Sequence, residues 1–137
     1  MKNLWIYCSC CLLLLNCTKP EIYENRNIWA CGINDPVHNI AWLNDYCQTI
    51  HKQKDISSVY IHLYQTIGVD EFFFRFEICK KSNKDRYFIT YRNCNGEIVH
   101  EKIQPIARQD GPNYMPPAPD TWLDDKEFIA RLFSYVK

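Results

Sequence analysis

The chain has 137 residues, which is enough for one domain, and its 16 basic residues balance its 16 acidic residues. This neutral balance gives no indication of a general nucleic-acid binder, since such proteins carry a basic surface, and no nucleic-acid partner is expected. Aromatic residues make up 15% of the chain and glycine contributes only 4 residues, so the composition indicates a packed domain rather than a disordered one.

Residues 1–16 are predicted to form a lipoprotein signal peptide. Lys2 is their single charge, and an almost unbroken apolar run follows it from Leu4 to Leu15. This run is too short to span a bilayer as a helix, which needs about 20 residues, but it matches the apolar region of a secretory signal. It ends at Asn16-Cys17, which resembles a bacterial lipobox, although Gly, Ala or Ser is usual in place of Asn16. We therefore expect Cys17 to be lipidated and to become the N-terminus.

Two alternatives to lipidation at Cys17 are open. In one, the signal peptide is an ordinary one and Cys17 is a cysteine like the others; in the other, Cys10 after Ser9 is lipidated, although this would leave a much shorter apolar run.

Two or three acyl chains on Cys17 would hold a soluble domain stably at a membrane. Thr18, rather than Asp, follows Cys17, so the sorting rule of enteric bacteria places the protein in the cell envelope at the outer membrane, on its periplasmic or its surface face.

The mature chain is predicted to consist of a polar tether over residues 17–30 and a single small domain over residues 31–137. A helix is predicted over residues 40–53, because apolar residues recur there at helical spacing. These residues form one stripe, at Ile40, Leu43, Cys47 and Ile50.

Four strands are predicted next, over residues 58–67, 71–79, 86–94 and 97–103. The last two are separated by Asn95-Gly96, the strongest two-residue hairpin signal, and all connections are short, so an antiparallel meander is the simplest topology. A proline-rich loop is predicted over residues 108–122 and a second helix over residues 124–137. The predicted fold class is therefore α+β, with one helix packed on a four-stranded antiparallel meander and a C-terminal helix.

The stretch ACGINDPVHNIAWLNDYC, with the aromatic strands and the Cys-Asn-Gly hairpin that follow it, resembles a family of small uncharacterised Bacteroidetes lipoproteins. Those proteins have a CG-x-x-DP…PWL start and a C-D/N-G turn. Ala41 departs from the pattern, standing where they often have Pro. The resemblance covers roughly residues 30–100, favours the lipoprotein interpretation and implies no molecular activity. The matching residues are Cys31, Gly32, Asp35, Pro36, Trp42, Leu43, Cys94 and Gly96.

After Cys17, four cysteines remain, at Cys31, Cys47, Cys79 and Cys94. An exported protein lies in an oxidising compartment, so they indicate two disulfides, with three possible connectivities. The predicted meander favours Cys31–Cys94 and Cys47–Cys79, because each pair lies at one end of the sheet. Alternation nominally places Cys79 on the face away from the helix, which weakens the second pair. Zinc sites use close pairs such as Cys-x₂-Cys, which these cysteines lack, so no metal and no cofactor is expected.

The sequence contains no catalytic motif, phosphate-binding loop or dinucleotide fingerprint, so no catalytic residue is assigned. Strand alternation instead places a set of aromatic and basic side chains on the sheet face opposite the helix. Such a composition is typical of a binding surface. The alternative is that the proline-rich loop and the C-terminal helix cover this face. The residues are Tyr60, His62, Tyr64, Phe73, Arg75, Phe88, Thr90 and Arg92.

Two classes of function are compatible with these features. The first is a non-catalytic binding module, anchored to the membrane, for a protein, peptide or glycan partner. The second is a cell-envelope enzyme or a small accessory subunit of one. A flat aromatic face would favour the first class, and a deep pocket with a perturbed carboxylate or histidine would favour the second. We expect the first.

Overall fold

A computed structural model of the protein describes residues 19–106 and 120–137. The signal peptide predicted over residues 1–16, the lipidation site Cys17 and most of the loop predicted over residues 108–122 lie outside these residues.

The described residues form eight strands and two short α-helices, with two further 3-10 turns at Ile50–Lys52 and Thr121–Leu123. The elements are β1 (Glu21–Glu24), β2 (Trp29–Ala30), β3 (Ile33–Asn34), α1 (Pro36–Asn39), α2 (Ala41–Thr49), β4 (Ile56–Thr66), β5 (Phe72–Lys80), β6 (Asn83–Arg92), β7 (Ile98–Pro105) and β8 (Lys126–Val136).

Six strands form one antiparallel sheet in the order β1-β8-β4-β5-β6-β7, and β2 and β3 form a separate small hairpin. Hairpins connect β4 to β7 in sequence. β8 then returns to the other side of β4 and lies between β4 and β1. The predicted four-stranded meander with a C-terminal helix is therefore wrong, because the sheet has six strands and the C-terminal segment is one of them.

The segment predicted as a helix over residues 124–137 is strand β8, and two β-bulges explain the error. The register of β8 against β4 shifts twice, so that Ile129 and Leu132 have no directly opposite partner. Each extra residue reverses the alternation of faces, and the apolar residues consequently recur at spacings that resemble a helical stripe. The segment is also rich in Phe, Ile, Tyr and Val, which suit strands.

Part of the segment predicted as a tether belongs to the described fold. Residues 17–30 include β1, which pairs with the end of β8 from Glu21 opposite Val136 to Glu24 opposite Phe133. They also include β2. The polar composition of this segment suits a short strand at the edge of a sheet, where side chains face water.

Helix α2 lies on one face of the sheet, which we call the inner face. It is shorter than the helix predicted over residues 40–53. In the structure, the last turn of that segment, Ile50–Lys52, is a 3-10 turn. Trp42 and Tyr46 of α2 place their rings edge-on against Phe74 and Phe76 of β5, with ring centroids 5.5 and 4.9 Å apart. Leu43 is fully buried in the same core.

No helix in the described parts of the chain is long and apolar enough to cross a membrane.

The disulfide predicted between Cys31 and Cys94 is present and joins the segment before α1 to the end of β6, with the two Cα atoms 5.8 Å apart. The indole N–H of Trp42 donates a 2.9 Å hydrogen bond to the carbonyl oxygen of Cys94. Gly96 has φ +85°, and a Cβ atom there would lie only 2.8 Å from Cδ2 of Trp42. Cysteine, tryptophan and glycine of the sequence motif thus form one structural cluster.

The second predicted disulfide, Cys47–Cys79, does not form, and both thiols are free and buried. Cys47 lies in α2 and packs in the core on the inner face. Cys79 pairs with Ser58 and Tyr87 and lies on the opposite face, which we call the outer face. The alternation of β5 therefore holds to its end, and the sheet separates the two thiols.

Candidate functional site

The structure divides the predicted binding face between the two faces of the sheet. Five of its residues lie on the outer face, because β4 and β5 pair in register there, with His62 opposite Arg75 and Tyr64 opposite Phe73. Tyr60 lies opposite Glu77 on the same face. These residues come together as alternation predicts.

Phe88, Thr90 and Arg92 lie instead on the inner face. They are directly opposite Ile78, Phe76 and Phe74, respectively, which point towards α2. The guanidinium carbon of Arg92 is 5.5 Å from the ring centroid of Phe76, and its Nη1 donates a 2.8 Å hydrogen bond to the carbonyl of Gly96. A register shift at the β5–β6 turn sets which residues of β6 face outwards, and alternation within β6 alone could not reveal it.

An ion cluster of three largely buried side chains, His62, Arg75 and Glu77, forms the floor of the outer face. Arg75 Nη1 lies 2.8 Å from Glu77 Oε1 and 3.4 Å from the Tyr64 hydroxyl. His62 Nδ1 lies 3.4 Å from the same carboxylate oxygen but makes no hydrogen bond with it. Burial alone would raise the pKa of Glu77, but His62 and Arg75 outweigh burial and lower it. The carboxylate is therefore ionised at neutral pH.

Trp122, in the 3-10 turn before β8, covers the part of the outer face formed by β5, β6 and β7. Its ring centroid lies 4.3 Å from that of Tyr91, 5.0 Å from that of Phe73 and 5.4 Å from that of His100, with the last pair stacked. The ammonium of Lys126 lies 4.0 Å from the Trp122 centroid on this face. Among the described residues, the side chain that covers this part of the face is therefore Trp122, the last residue of the predicted proline-rich loop, rather than a C-terminal helix.

Asp120 holds this tryptophan cover to the sheet. Its carboxylate accepts a hydrogen bond from the Tyr91 hydroxyl and another from Lys102 Nζ at 2.9 Å, and His100 Nε2 lies 4.0 Å away. Burial would raise the pKa of Asp120, but the hydrogen bonds from Tyr91 and Lys102 lower it instead. Asp120 is consequently an ionised anchor for the turn that carries Trp122.

Replacement of Asp120 by Asn should destabilise the protein at neutral pH and should have less effect in acid. Because folding lowers the pKa of Asp120, its charge adds stability above the unfolded pKa of about 3.9, and this stability is lost as the pH falls through the folded value. We expect Asp120→Asn to lower the free energy of unfolding by about 1.5–3 kcal/mol at pH 7, as for a hydrogen bond to a charged group.

Urea unfolding of both proteins at pH 7, 5 and 3 measures this difference. Asp70→Asn, at an exposed carboxylate in the β4–β5 turn, is the control and should change little. A loss from Asp120→Asn that stayed constant down to pH 3 would show that the charge of Asp120 does not stabilise the cover.

The opposite side of the outer face, formed by β1, β8 and β4, is not covered by Trp122. We call its side chains the open strip. The Phe128 ring is exposed and packs edge-on against His62 and Tyr64, with centroids 5.8 and 5.7 Å apart. The guanidinium carbon of Arg131 lies 5.4 Å from the centroid of Tyr60. The open strip consists of Tyr23, Tyr60, Tyr64, Phe128 and Arg131.

Sequence reasoning missed three of these side chains. Tyr23 fell in the predicted tether, and Phe128 and Arg131 fell in the predicted helix. Pairing brings them together, because Ser134 of β8 lies opposite both Tyr23 and Tyr60. The richness of the last segment in β-branched and aromatic residues was the one sequence signal that could have placed them on a strand.

A shallow groove of about 330 Å³ lies between β6 and β7 on the inner face. The ion cluster lies on the outer face, so its titratable groups do not line this groove. Within residues 19–106 and 120–137, no three His, Cys, Asp or Glu side chains are grouped closely enough to hold a metal ion. The groove is lined by Phe88, Ile89, Thr90, Glu101, Lys102 and Ile103.

Comparison with protein-family models, with curated proteins and with solved structures finds no match to this chain. The assignment of a function therefore depends on the chemistry of the site itself.

Proposed function

We propose that the protein is a membrane-anchored lipoprotein of the cell envelope whose domain is a non-catalytic binding module. Its contact surface is the open strip, and its partner is a protein, a peptide or a glycan. The observation that carries this proposal is that Phe128 and Arg131 are exposed beside Tyr60 and Tyr64 on a six-stranded sheet. Tyr and Arg, together with Trp, are enriched among the residues that dominate binding energy.

The support beneath the strip favours binding without rearrangement. Tyr64 contacts both Phe128 and Arg75, and Arg75 is in turn paired with Glu77. The rings are therefore held in place before a partner arrives, which reduces the entropy lost on binding. Arg131 can stack over Tyr60 while its N–H groups pair with a carboxylate of the partner.

The anchor is proposed at Cys17, on the basis of Lys2, the leucine run and the Asn16-Cys17 junction. Strand β1 begins at Glu21, and four extended residues span at most about 14 Å. An acylated Cys17 would therefore hold β1, and the open strip beside it, close to the bilayer surface. A partner embedded in or attached to the same membrane would meet this strip.

Replacement of Arg131 by Ala should weaken the binding of a partner without unfolding the protein. The lipidated protein is used to retain partners from native envelope membranes, and the affinity for each purified partner is then measured. Loss of a central anchor costs about 2 kcal/mol of binding energy, which corresponds to a dissociation constant about 30-fold higher. Tyr60→Ala should have a similar effect, and the melting temperatures of both variants should stay near the wild-type value.

Arg26→Ala is the matched control, because Arg26 is an exposed arginine that lies outside the open strip. It should bind as the wild type does. Wild-type affinity in both Arg131→Ala and Tyr60→Ala would exclude the strip as the contact surface. The anchor is tested separately with labelled palmitate, which should enter the wild type and not Cys17→Ser; equal labelling of the two would reject the anchor.

A further inference from the structure

Strand β7 forms one edge of the six-stranded sheet, and β1 forms the other. In an antiparallel ladder, alternate residues direct their N–H and C=O groups away from the neighbouring strand, so an edge strand carries a row of unpaired backbone groups. Within residues 19–106 and 120–137, no strand lies beyond β7. Its outward backbone groups are therefore available to a further strand.

The two edges differ in length and in how strongly they resist the addition of a strand. β1 has four residues and a glutamate at each end, Glu21 and Glu24, and short, charged edge strands discourage pairing. β7 has eight residues, and its Ile98 and Ile103 are 49% and 55% exposed. Pro105, which lacks an N–H, is only its last residue. A long edge with exposed apolar side chains is a template for pairing, so β7 is the more receptive edge.

The inner side of β7 is more open than its outer side. Glu101 and Ile103 point to the inner face, because they lie opposite Thr90 and Phe88, and both are exposed. The shallow groove between β6 and β7 lies directly beside them. The outer side of β7 is instead partly covered by the turn that carries Trp122. An added strand would therefore place alternate side chains next to the groove.

Glu101 is the only charged side chain that β7 presents on its inner face. It forms no ion pair with any residue in the described parts of the chain. The cations of this face lie on other strands: Lys80 lies over a ring of β6, Arg92 donates to a carbonyl oxygen, and Arg86 lies opposite the last residue of β7. A basic side chain directly opposite Glu101 would therefore add a cross-strand ion pair.

A second copy of the chain fits this edge poorly. A two-fold axis perpendicular to the sheet would pair β7 with β7, and residues opposite each other would then share a face. The two registers with the longest overlap place Glu101 opposite Glu101 or Lys102 opposite Lys102. Like charges directly opposite each other destabilise a strand pair, so a different protein is the better occupant.

We propose that the β7 edge is a second docking surface, and that its occupant is an extended segment of another protein, which adds a strand to the sheet. On the inner face, this segment carries apolar β-branched side chains beside Ile98 and Ile103 and a basic side chain opposite Glu101. Backbone hydrogen bonds supply affinity in this mode of recognition, and the alternate side chains supply specificity. The surface goes beyond the open strip, which lies on the outer face of β1, β8 and β4.

The test uses the peptide acetyl-Thr-Val-Thr-Lys-Thr-Val-Thr-amide, whose alternation places Val, Lys and Val on one side of a strand. The protein is the chain from residue 17 onwards with Cys17→Ser, which contains every described residue. The amide NMR signals of β7 should shift during titration with the peptide, and those of β1 should not. Shifts at β1 alone, or no shift at β7, would overturn the proposal.

Two N-methylated versions of the peptide test the backbone contact. One is methylated on Val, Lys and Val, and the other on the three Thr residues that follow them. Successive residues of a strand direct their N–H groups to opposite edges, so one version loses the groups that face β7 and the other retains them. The two dissociation constants should differ about tenfold, and equal affinities would show that no ladder forms.

Reversal of the charge on Glu101 tests the side-chain contact. Glu101→Lys should weaken the Lys peptide about fivefold and strengthen a peptide with Glu in place of Lys by a similar factor. The matched control, Glu21→Lys, reverses an exposed charge on the other edge and should bind both peptides as the wild type does. Equal changes in the two variants would mean that net charge, rather than the β7 edge, governs binding. The methylated peptides decide the matter with the wild type alone if Glu101→Lys does not fold.

Sedimentation velocity separates a partner protein from a second copy. The wild type should be monomeric at the concentrations of the titration. A dimer that the peptide dissociates would overturn the proposal in favour of self-pairing. None of these measurements alters Tyr60 or Arg131, so the result is independent of the open strip.

Discussion

Replacement of Cys94 by Ser should lower the free energy of unfolding by about 4 kcal/mol, the loss expected when a disulfide between residues 63 positions apart is removed in the chain-entropy model. The bond joins the segment before α1 to the end of β6. Without it, the unfolded chain gains conformations that the crosslink had excluded. A small domain has a total stability of about 5–15 kcal/mol, so this variant should lose a large part of it.

Urea unfolding measures the loss, and the reduced wild type provides an internal control. Dithiothreitol should destabilise the wild type as much as Cys94→Ser does, and it should leave the variant unchanged. Peptide mapping without reduction should recover Cys31 linked to Cys94, and denaturation should make Cys47 and Cys79 available to iodoacetamide. A linked Cys47–Cys79 peptide would contradict the separation of these thiols by the sheet.

Replacement of Arg75 by Ala should lower the free energy of unfolding by about 3 kcal/mol or more, because it leaves Glu77 as a largely buried carboxylate without its guanidinium partner. The loss has a defined pH dependence. Folding lowers the pKa of Glu77 in the wild type, so the pair adds stability above the unfolded pKa of about 4.3 and loses it as the pH falls through the folded value. The difference between wild type and variant should therefore shrink in acid.

Two further variants separate the pair from other contributions of Arg75. Arg75→Met with Glu77→Leu removes both charges while retaining volume, and it should be far less destabilising than Arg75→Ala, since it leaves no unpaired charge in the sheet. Arg131→Ala removes an exposed guanidinium from the same face and should change stability by about 0.5 kcal/mol or less. Arg75 would have no supporting role if Arg75→Ala and Arg131→Ala were equally stable in chemical denaturation.

The inner face of β4 and β5 could be predicted from the sequence because its alternation is regular. Val59, Ile61 and Leu63 are all buried, as are Phe74 and Phe76. The Cys31–Cys94 bond was predictable for a related reason, since the hairpins between successive strands determine which strand ends lie together. Both inferences depend on local pattern and short connections.

The partner of β8 could not be predicted, because it depends on contacts between distant parts of the chain. The two bulges of β8 give its apolar residues a helical spacing, and only pairing with β4 and β1 resolves the ambiguity. The open strip was lost from the sequence prediction for the same reason, since Phe128 and Arg131 were assigned to a helix. Phe88 and Arg92 were placed on the wrong face because the register shift between β5 and β6 leaves no sequence signal.

The position of β8 between β1 and β4 also sets when this domain can fold during synthesis. In the sheet, β8 lies between β1 and β4. Neither of these two strands can therefore pair with β8 until β8 has been synthesised. Pairings between distant residues form slowly, because a long loop must close before they are stabilised. A nascent chain with this topology cannot complete its six-stranded sheet until β8 has emerged from the ribosome.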